Sequence, residues 1–352
     1  MVMDALDSLY TRVAKKILTE TLHLRKGESV TVETWDNGLP FARRAVAEAR
    51  ALGCPAVMIY EDEAAYVEGV RRAPDEVVGE MGKNEFGLLS GSDAYVFIPG
   101  QALGVYSKTL KPEERERSTR YNSSWYDAAE KAGLRGARLS FGYAGRDMAR
   151  FLGRPIKEIV RAQLKGALAD YRQISASALK VSPLLGDGVE AELISGKTTL
   201  RFSLRGELAV EDGIVDEQDM KTGNNMTYVP PGLLTKEVDP ATVSGSVTLT
   251  DSLTKHGVIH MAKLNFKDGR MTGWDSDERG ILKRLLDGLP SENRRVSLLG
   301  IGFNPGLRYG WGADRFVSGS VTLSGFGFTG VVRGGSLRAG GSVILGGGRP
   351  QI

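Results

Sequence analysis

Gly27-Glu28-Ser29-Val30-Thr31-Val32-Glu33-Thr34 reads as a turn leading into a strand, and the alternation that continues from it sets the fold class. Ala42–Leu52 has helical patterning and closes on Gly53. Ala56-Val57-Met58-Ile59-Tyr60 is then a short apolar strand, and Asp93–Ile98 is another, ended by Pro99-Gly100. Strands separated by helices predict a parallel sheet with helices on its faces. Upstream, Leu6, Leu9, Tyr10, Val13, Ile17 and Leu18 fall at helical spacing among charged residues, which marks an amphipathic helix rather than a signal peptide. Downstream, Pro112–Lys131 and Ile156–Ser177 read as long helices, with Pro112 suited to a first turn.

Past about Val181 the pattern changes. Val189–Ile194 and Thr199–Leu204 read as paired strands around Ser195-Gly196-Lys197, and Ser244–Thr250, Val258–Phe266 and Met271–Trp274 follow. Lys267-Asp268-Gly269-Arg270 is a hairpin turn, because Asp-Gly supplies the positive φ that tight hairpins need. Ser276–Leu286 is the one clear helix here. Gly346-Gly347-Gly348-Arg349-Pro350 reads as a flexible tail. The expected architecture is an α/β domain over residues 1–181, followed by a mostly β (α+β) domain over 182–352.

Composition narrows the function classes. The chain has 352 residues, 41% hydrophobic and 25% charged, with a net charge of +3, so nothing demands nucleic acid or an acidic membrane. No apolar run reaches the length of a membrane span. The single cysteine, Cys54, excludes an internal disulfide framework and fits a reducing cytoplasm.

Two phosphate motifs match by spelling only. Ala191–Thr198 satisfies a relaxed phosphate-loop pattern, but its residues before Gly196 read as strand and strand follows it. Gly325-Phe326-Gly327-Phe328-Thr329-Gly330 has dinucleotide spacing, but no helix follows to receive a pyrophosphate. The three histidines are His23, His256 and His260. On a strand, the four-residue step from His256 to His260 spans about 13 Å, too far for both to reach one ion. Arg115–Arg161 mixes arginines with Tyr121, Trp125, Tyr126, Phe141 and Tyr143, the raw material of single-strand binding. Glu116, Asp127, Glu130, Asp147 and Glu158 offset it, which favours a solvated helical face.

The order of several segments resembles the aminopeptidase T family of thermophilic metallopeptidases. These are Leu24–Val32, Ala42–Tyr60, Ala167–Ala178, Val189–Leu204, Gly245-Ser246-Val247, Phe266–Arg270 and Gly300-Ile301-Gly302-Phe303-Asn304-Pro305. The resemblance implies the two-part fold above, a homodimer, and an exopeptidase whose paired divalent metals are held by glutamates, histidines and an aspartate of the β-rich domain. Paired metals would polarise a carbonyl and acidify a bound water.

The ligand positions depart from that pattern. Where the family has glutamates, this chain has Asn225-Met226-Thr227-Tyr228-Val229-Pro230-Pro231 and Val296-Ser297-Leu298-Leu299. Where it has a histidine after Gly-Thr, this chain has Gly319-Ser320-Val321-Thr322-Leu323, and where it has His-x-Asp, Phe328-Thr329-Gly330-Val331. No histidine follows His260.

Three readings stay open. The first is a cytoplasmic homo-oligomer without the dinuclear centre and with no cofactor. It would bind a peptide or small molecule in the old cleft, near Asn225, Tyr228, Asn304, Arg308 and Asp314, each of which could equally be a turn or ion-pair residue, or it would serve as a structural partner. The second is an active aminopeptidase with a rearranged site drawn from Glu237, Asp239, Asp251, His256, His260 and Asp314, holding zinc, cobalt, manganese or magnesium. The third is a macromolecule-binding protein using the Arg115–Arg161 face, although nucleic acid is disfavoured. No catalytic residue is assigned.

Overall fold

The computed structural model describes residues 5–100 and 110–351. Helices are α1 (Ala5–Lys16), α2 (Leu39–Ala51), α3 (Glu63–Arg72), α4 (Asp75–Val78), α5 (Lys83–Ser90), α6 (Pro112–Lys131), α7 (Arg146–Leu152), α8 (Ile156–Ala167), α9 (Tyr171–Val181), α10 (Glu217–Lys221) and α11 (Arg279–Asp287). The first strands are β1 (Val30–Trp35), β2 (Ala56–Glu61), β3 (Ala94–Ile98), β4 (Arg135–Leu139), β5 (Glu190–Ser195), β6 (Thr198–Glu211), β7 (Met226–Val229) and β8 (Leu233–Val238). Then come β9 (Ser244–Thr254), β10 (Gly257–Lys267), β11 (Arg270–Ser276), β12 (Leu298–Gly302), β13 (Val321–Ser324), β14 (Gly330–Val332), β15 (Ser336–Ala339), β16 (Ser342–Gly346) and β17 (Arg349–Pro350).

The chain divides into two compact units. The first is Met1–Leu168 with Gly213–Pro230, and the second is Ala169–Asp212 with Pro231–Ile352. This differs from a single boundary at 181/182. The reason lies in β7, which pairs in parallel with β4 and completes the first unit's sheet in the order β2-β1-β3-β4-β7. A four-residue strand far along the chain carries no local sign of which sheet it will join.

The first unit is the α/β part. Val30 and Val32 on β1, Val96 and Ile98 on β3 and Ala137 and Leu139 on β4 are almost wholly buried and share one face of the sheet. Helix α1 buries Leu6, Tyr10, Val13 and Ala14. Helix α6 buries Trp125 and Ala129 in a cluster with Tyr95, Leu89 and Leu134.

The second unit is antiparallel apart from an isolated bridge between Asn304 and Val317. Strands β9, β10 and β11 form a meander, and β8, β12, β13 and β14 lie side by side. The turn at Asp268-Gly269 has φ of 47° and 77°, as the Asp-Gly reading requires. Ser195-Gly196-Lys197 joins β5 to β6 as a hairpin, with Gly196 at φ 60°, and the Gly325–Gly330 segment joins β13 to β14. Neither phosphate motif opens a helix.

Three element expectations need correction. The helix over Ile156–Ser177 is two helices, α8 and α9, because Asp170 caps the second by accepting the Gln173 N–H. The helix expected from Ser276 starts at Arg279, since β11 runs on through Ser276. The glycine-rich end is not a loose tail: Gly347 and Gly348, at φ 58° and 75°, turn β16 into β17.

Candidate functional site

The densest group of titratable side chains in the second unit gathers on β9 and β10. Ser252 pairs with Ile259 and Thr250 with Met261, so Asp251 lies opposite His260. Asp251 has φ 41°, a backbone region that an aspartate tolerates better than most residues. Its Oδ1 lies 2.9 Å from His260 Nδ1. The His260 backbone N–H donates to Glu278 Oε2 at 2.9 Å, and the Met261 N–H to Asp277 Oδ1 at 2.9 Å. The acids just before α11 therefore fix this stretch of β10.

Arg333 arrives from just beyond β14. Its N–H donates to Thr250 Oγ1 at 2.9 Å, its Nη1 lies 3.9 Å from Asp251 Oδ2, and its guanidinium sits 4.9 Å from the Tyr309 ring centre. Asp314 accepts the Gly310 N–H at 2.9 Å, closing the loop that carries Tyr309.

The electrostatics follow from this placement. The hydrogen bond to Asp251 raises the His260 pKa against a smaller opposing effect of burial, and the Glu278 and Asp277 carboxylates add to the rise. Burial pushes the Tyr309 hydroxyl up to about 12, and the Asp314 charge adds to it. Burial raises Asp314 as well, and Asp251 contributes to that rise through its charge. An aspartate-oriented imidazole can hold or move a proton. Ser252, next to Asp251, is not free to serve as its nucleophile, because its Oγ is tied between the Val331 N–H at 2.8 Å and the Thr250 carbonyl at 3.3 Å. The His260 and Asp251 side chains are 62% and 40% exposed, so their pairing adds little to stability.

The structure brings Asp251 and His260 together and puts Asp314 within electrostatic reach of Asp251. It leaves the other candidates elsewhere. His256 occupies the turn between β9 and β10, its N–H donating to Thr254 Oγ1. Glu237 lies on β8 beside Gly206, and Asp239 caps the turn at Pro240–Thr242.

The five cleft candidates divide between the units. Asn225 is buried and donates to the Leu134 carbonyl at 2.9 Å, which fastens β7 to the start of β4. Asn304 is fully buried, donates to the Pro231 carbonyl at 2.8 Å and accepts the Gly306 N–H at 2.9 Å, the pattern of a turn residue. Arg308 is exposed. Tyr228 is half-buried on β7, with its ring centre 5.8 Å from the Arg138 guanidinium. Sequence reasoning missed Arg138, Arg333, Tyr309 and Glu278: Arg333, Tyr309 and Glu278 meet the partners described above only through long-range packing, and Arg138 meets Phe97 and Tyr228 that way.

The stretches where the family resemblance calls for metal ligands mix polar side chains, among them Asn225, Thr227, Tyr228, Ser297, Ser320 and Thr322, with apolar core. Of the apolar ones, Val296, Leu299, Val321 and Leu323 are fully buried, and the half-buried Phe328 meets the ring of Phe326 edge to face at 4.8 Å. None of these groups offers a lone pair to a divalent ion. Among the described residues, no group of three or more His, Cys, Asp or Glu side chains is placed to hold a metal.

The basic and aromatic stretch of the first unit is mixed: Arg146, Arg150, Arg154, Arg161 and Tyr126 are exposed, while other members are tied into the fold. Arg117 pairs with Asp75 and donates to the Ala73 carbonyl at 2.8 Å, Arg135 pairs with Glu28 at 2.8 Å, and Trp125 is buried against Tyr95. The Arg115 side chain lies outside the described residues.

No protein-family profile matches the chain, and no curated protein matches it. Solved structures do. Wild-type AmpT, an aminopeptidase T from Thermus thermophilus, superposes with a TM-score of 0.67 at 16% identity, covering 99% of this chain and 100% of its own. A 2,5-dihydroxypyridine dioxygenase from Pseudomonas putida gives 0.63 at 14% identity, covering 99% and 98%. The chain therefore has the two-part fold that AmpT also has, in a class of architecture that carries more than one chemistry. Among the described residues, no helix is long and apolar enough to cross a membrane.

Proposed function

We propose that this chain is a ligand-binding protein on an aminopeptidase T-like fold, working without the dinuclear metal centre of the family it resembles. The observation that carries this is the packing at the resembled ligand positions. Val296, Leu299, Val321 and Leu323 fill the interior there and supply no donor atoms. Recovering a two-metal site would require several buried apolar side chains to become charged at once, at a large desolvation cost.

Elemental analysis of the purified protein tests the reading. The expected result is far less than one equivalent of zinc, cobalt, manganese or magnesium, with no release of free amino acids from short peptides. Near-stoichiometric, tightly held metal would overturn it.

The second reading is an aminopeptidase with a rearranged site that would include the Asp251–His260 pair. Carboxylates with one imidazole would favour manganese or magnesium. Its signature is peptide hydrolysis that a chelator abolishes.

Assembly as a cytoplasmic homodimer completes the proposal. Strand β2 is the outer strand of its sheet among the described residues, and it exposes Val57, Met58 and Tyr60 at 42–48%. Such an apolar edge favours a covering partner. Light scattering that gives a monomer mass at micromolar concentration would argue against it.

A further inference from the structure

We infer that Arg138 and the rings around it form a binding site for a small planar monocarboxylate. The inference rests on the ligand-binding reading and names a ligand class for it, at a place in the first unit outside the Asp251–His260 group.

The site is built by strand register. Phe97 on β3 pairs with Arg138 on β4, and Arg138 pairs with Tyr228 on β7. Residues in register on neighbouring strands point to one face, so the three side chains stand in a row. Tyr143, from the turn after β4, closes the group. The guanidinium carbon lies 5.3 Å from the Phe97 ring centre, 5.8 Å from that of Tyr143 and 5.8 Å from that of Tyr228. Arg138 Nη2 donates to the Tyr143 hydroxyl. Its Nε is buried and has no hydrogen-bond partner. Among the described residues, no carboxylate lies within ion-pair distance of it.

This is unusual company for a guanidinium. Burial of a cation is ordinarily compensated by a paired anion. Other arginines of the same unit have such partners: Arg117 has Asp75 and Arg135 has Glu28. Arg138 has ring faces and one phenol. Aromatic faces stabilise a cation, but they leave its N–H edge unsatisfied. With one Nη2 hydrogen spent on Tyr143 and the Nε–H without a partner, the rest of the planar fork can still meet a carboxylate in two-point geometry.

The surroundings narrow the ligand. Glu33 stands in the same row, paired in register with Phe97, and Tyr95 donates to it. Glu85, which accepts from Tyr121, and Glu61 lie near Glu33. One cation with carboxyls close by accommodates a single negative charge better than two, which disfavours a phosphate dianion. The flat walls of Phe97, Tyr143 and Tyr228 favour a flat group behind the carboxylate. All three rings and Arg138 are only partly buried, so the row keeps a solvent-facing side.

Benzoate is the probe, with inorganic phosphate and benzyl alcohol for comparison, titrated calorimetrically into the full-length protein. The expected result is saturable one-to-one binding of benzoate, at least tenfold weaker binding of phosphate, and none of benzyl alcohol. Arg138→Lys keeps the charge and loses the fork, and should weaken benzoate at least tenfold. Arg138→Met should abolish binding. If Arg138→Met does not fold, wild-type protein carries the test by NMR: the amides of Arg138, Tyr143 and Tyr228 should shift along one benzoate isotherm. No saturation by 10 mM benzoate (roughly the weakest affinity one such site supports), unchanged affinity in a folded variant, or shifts confined to other residues would each overturn the site. Metal content is read separately, so failure here leaves the metal-free reading standing on its own test.

Discussion

Glu33 titrates far from its usual range because burial disfavours its charge. The Tyr95 hydrogen bond and Arg138 oppose the shift, while Glu85 and Glu61 reinforce it. Its pKa is pushed up to about 7 from an unfolded value of 4.5. A carboxyl with a raised folded pKa holds its proton more tightly when folded. Its contribution is therefore fully present below about 4.5 and is lost as pH rises to about 7. The loss is on the order of 3 kcal/mol across that window. Thermal melts should show the midpoint falling between pH 5 and 7, and Glu33→Gln should flatten the profile there. An unchanged slope in that variant would reassign the effect.

His260 offers a second test at the same scale. Its raised pKa has the Asp251 hydrogen bond as first cause. In Asp251→Asn, the imidazole NMR titration should move towards lower pH. No movement would mean that Glu278 and Asp277 set the value instead. None of this is legible in the sequence. Glu33 reads there only as a strand residue, and although Asp251 and His260 are both candidates, what pairs them is an antiparallel register that spacing does not reveal.

Turn chemistry is the most legible feature at the level of elements. Gly269 has φ 77°, and a Cβ there would come 2.2 Å from the Pro240 carbonyl oxygen. Local sequence foretells the positive φ but not the contact, which comes from another turn. Gly269→Ala should destabilise the protein by about 1–3 kcal/mol from backbone strain alone, with more from the clash, read as a lower urea midpoint. A wild-type midpoint would show that the β10–β11 hairpin tolerates a different turn. The helices are legible where a single signal dominates. Pro112 opens α6 as its first-turn preference implies, whereas the break between α8 and α9 is hidden because apolar spacing continues across it. The glycine-rich end misleads for a related reason: glycines that permit a flexible tail also permit the tight turn between β16 and β17.

For the molecule as a whole, the interleaved division of the chain is the main consequence of long-range packing. A fragment ending at residue 181 lacks β7 and exposes the hydrogen-bonding edge of β4, where Gly136–Leu139 now pair with Met226–Val229. That fragment should be aggregation-prone or markedly less stable to urea than the full chain. A soluble fragment with native-like stability would show β7 to be dispensable. The class of architecture is already written in the linear chain. Alternating strand and helix, then glycine-punctuated hairpins, are patterns of near neighbours, and near neighbours set local geometry. The resemblance to aminopeptidase T rests on the same segments, and the AmpT superposition bears out the fold. Which strand completes the parallel sheet, which acid meets His260, and which arginine is left among rings without an anion are settled only once the chain has packed. Each depends on groups far apart in sequence, and their encounter is set by strand register and burial rather than by any pattern that a local stretch carries.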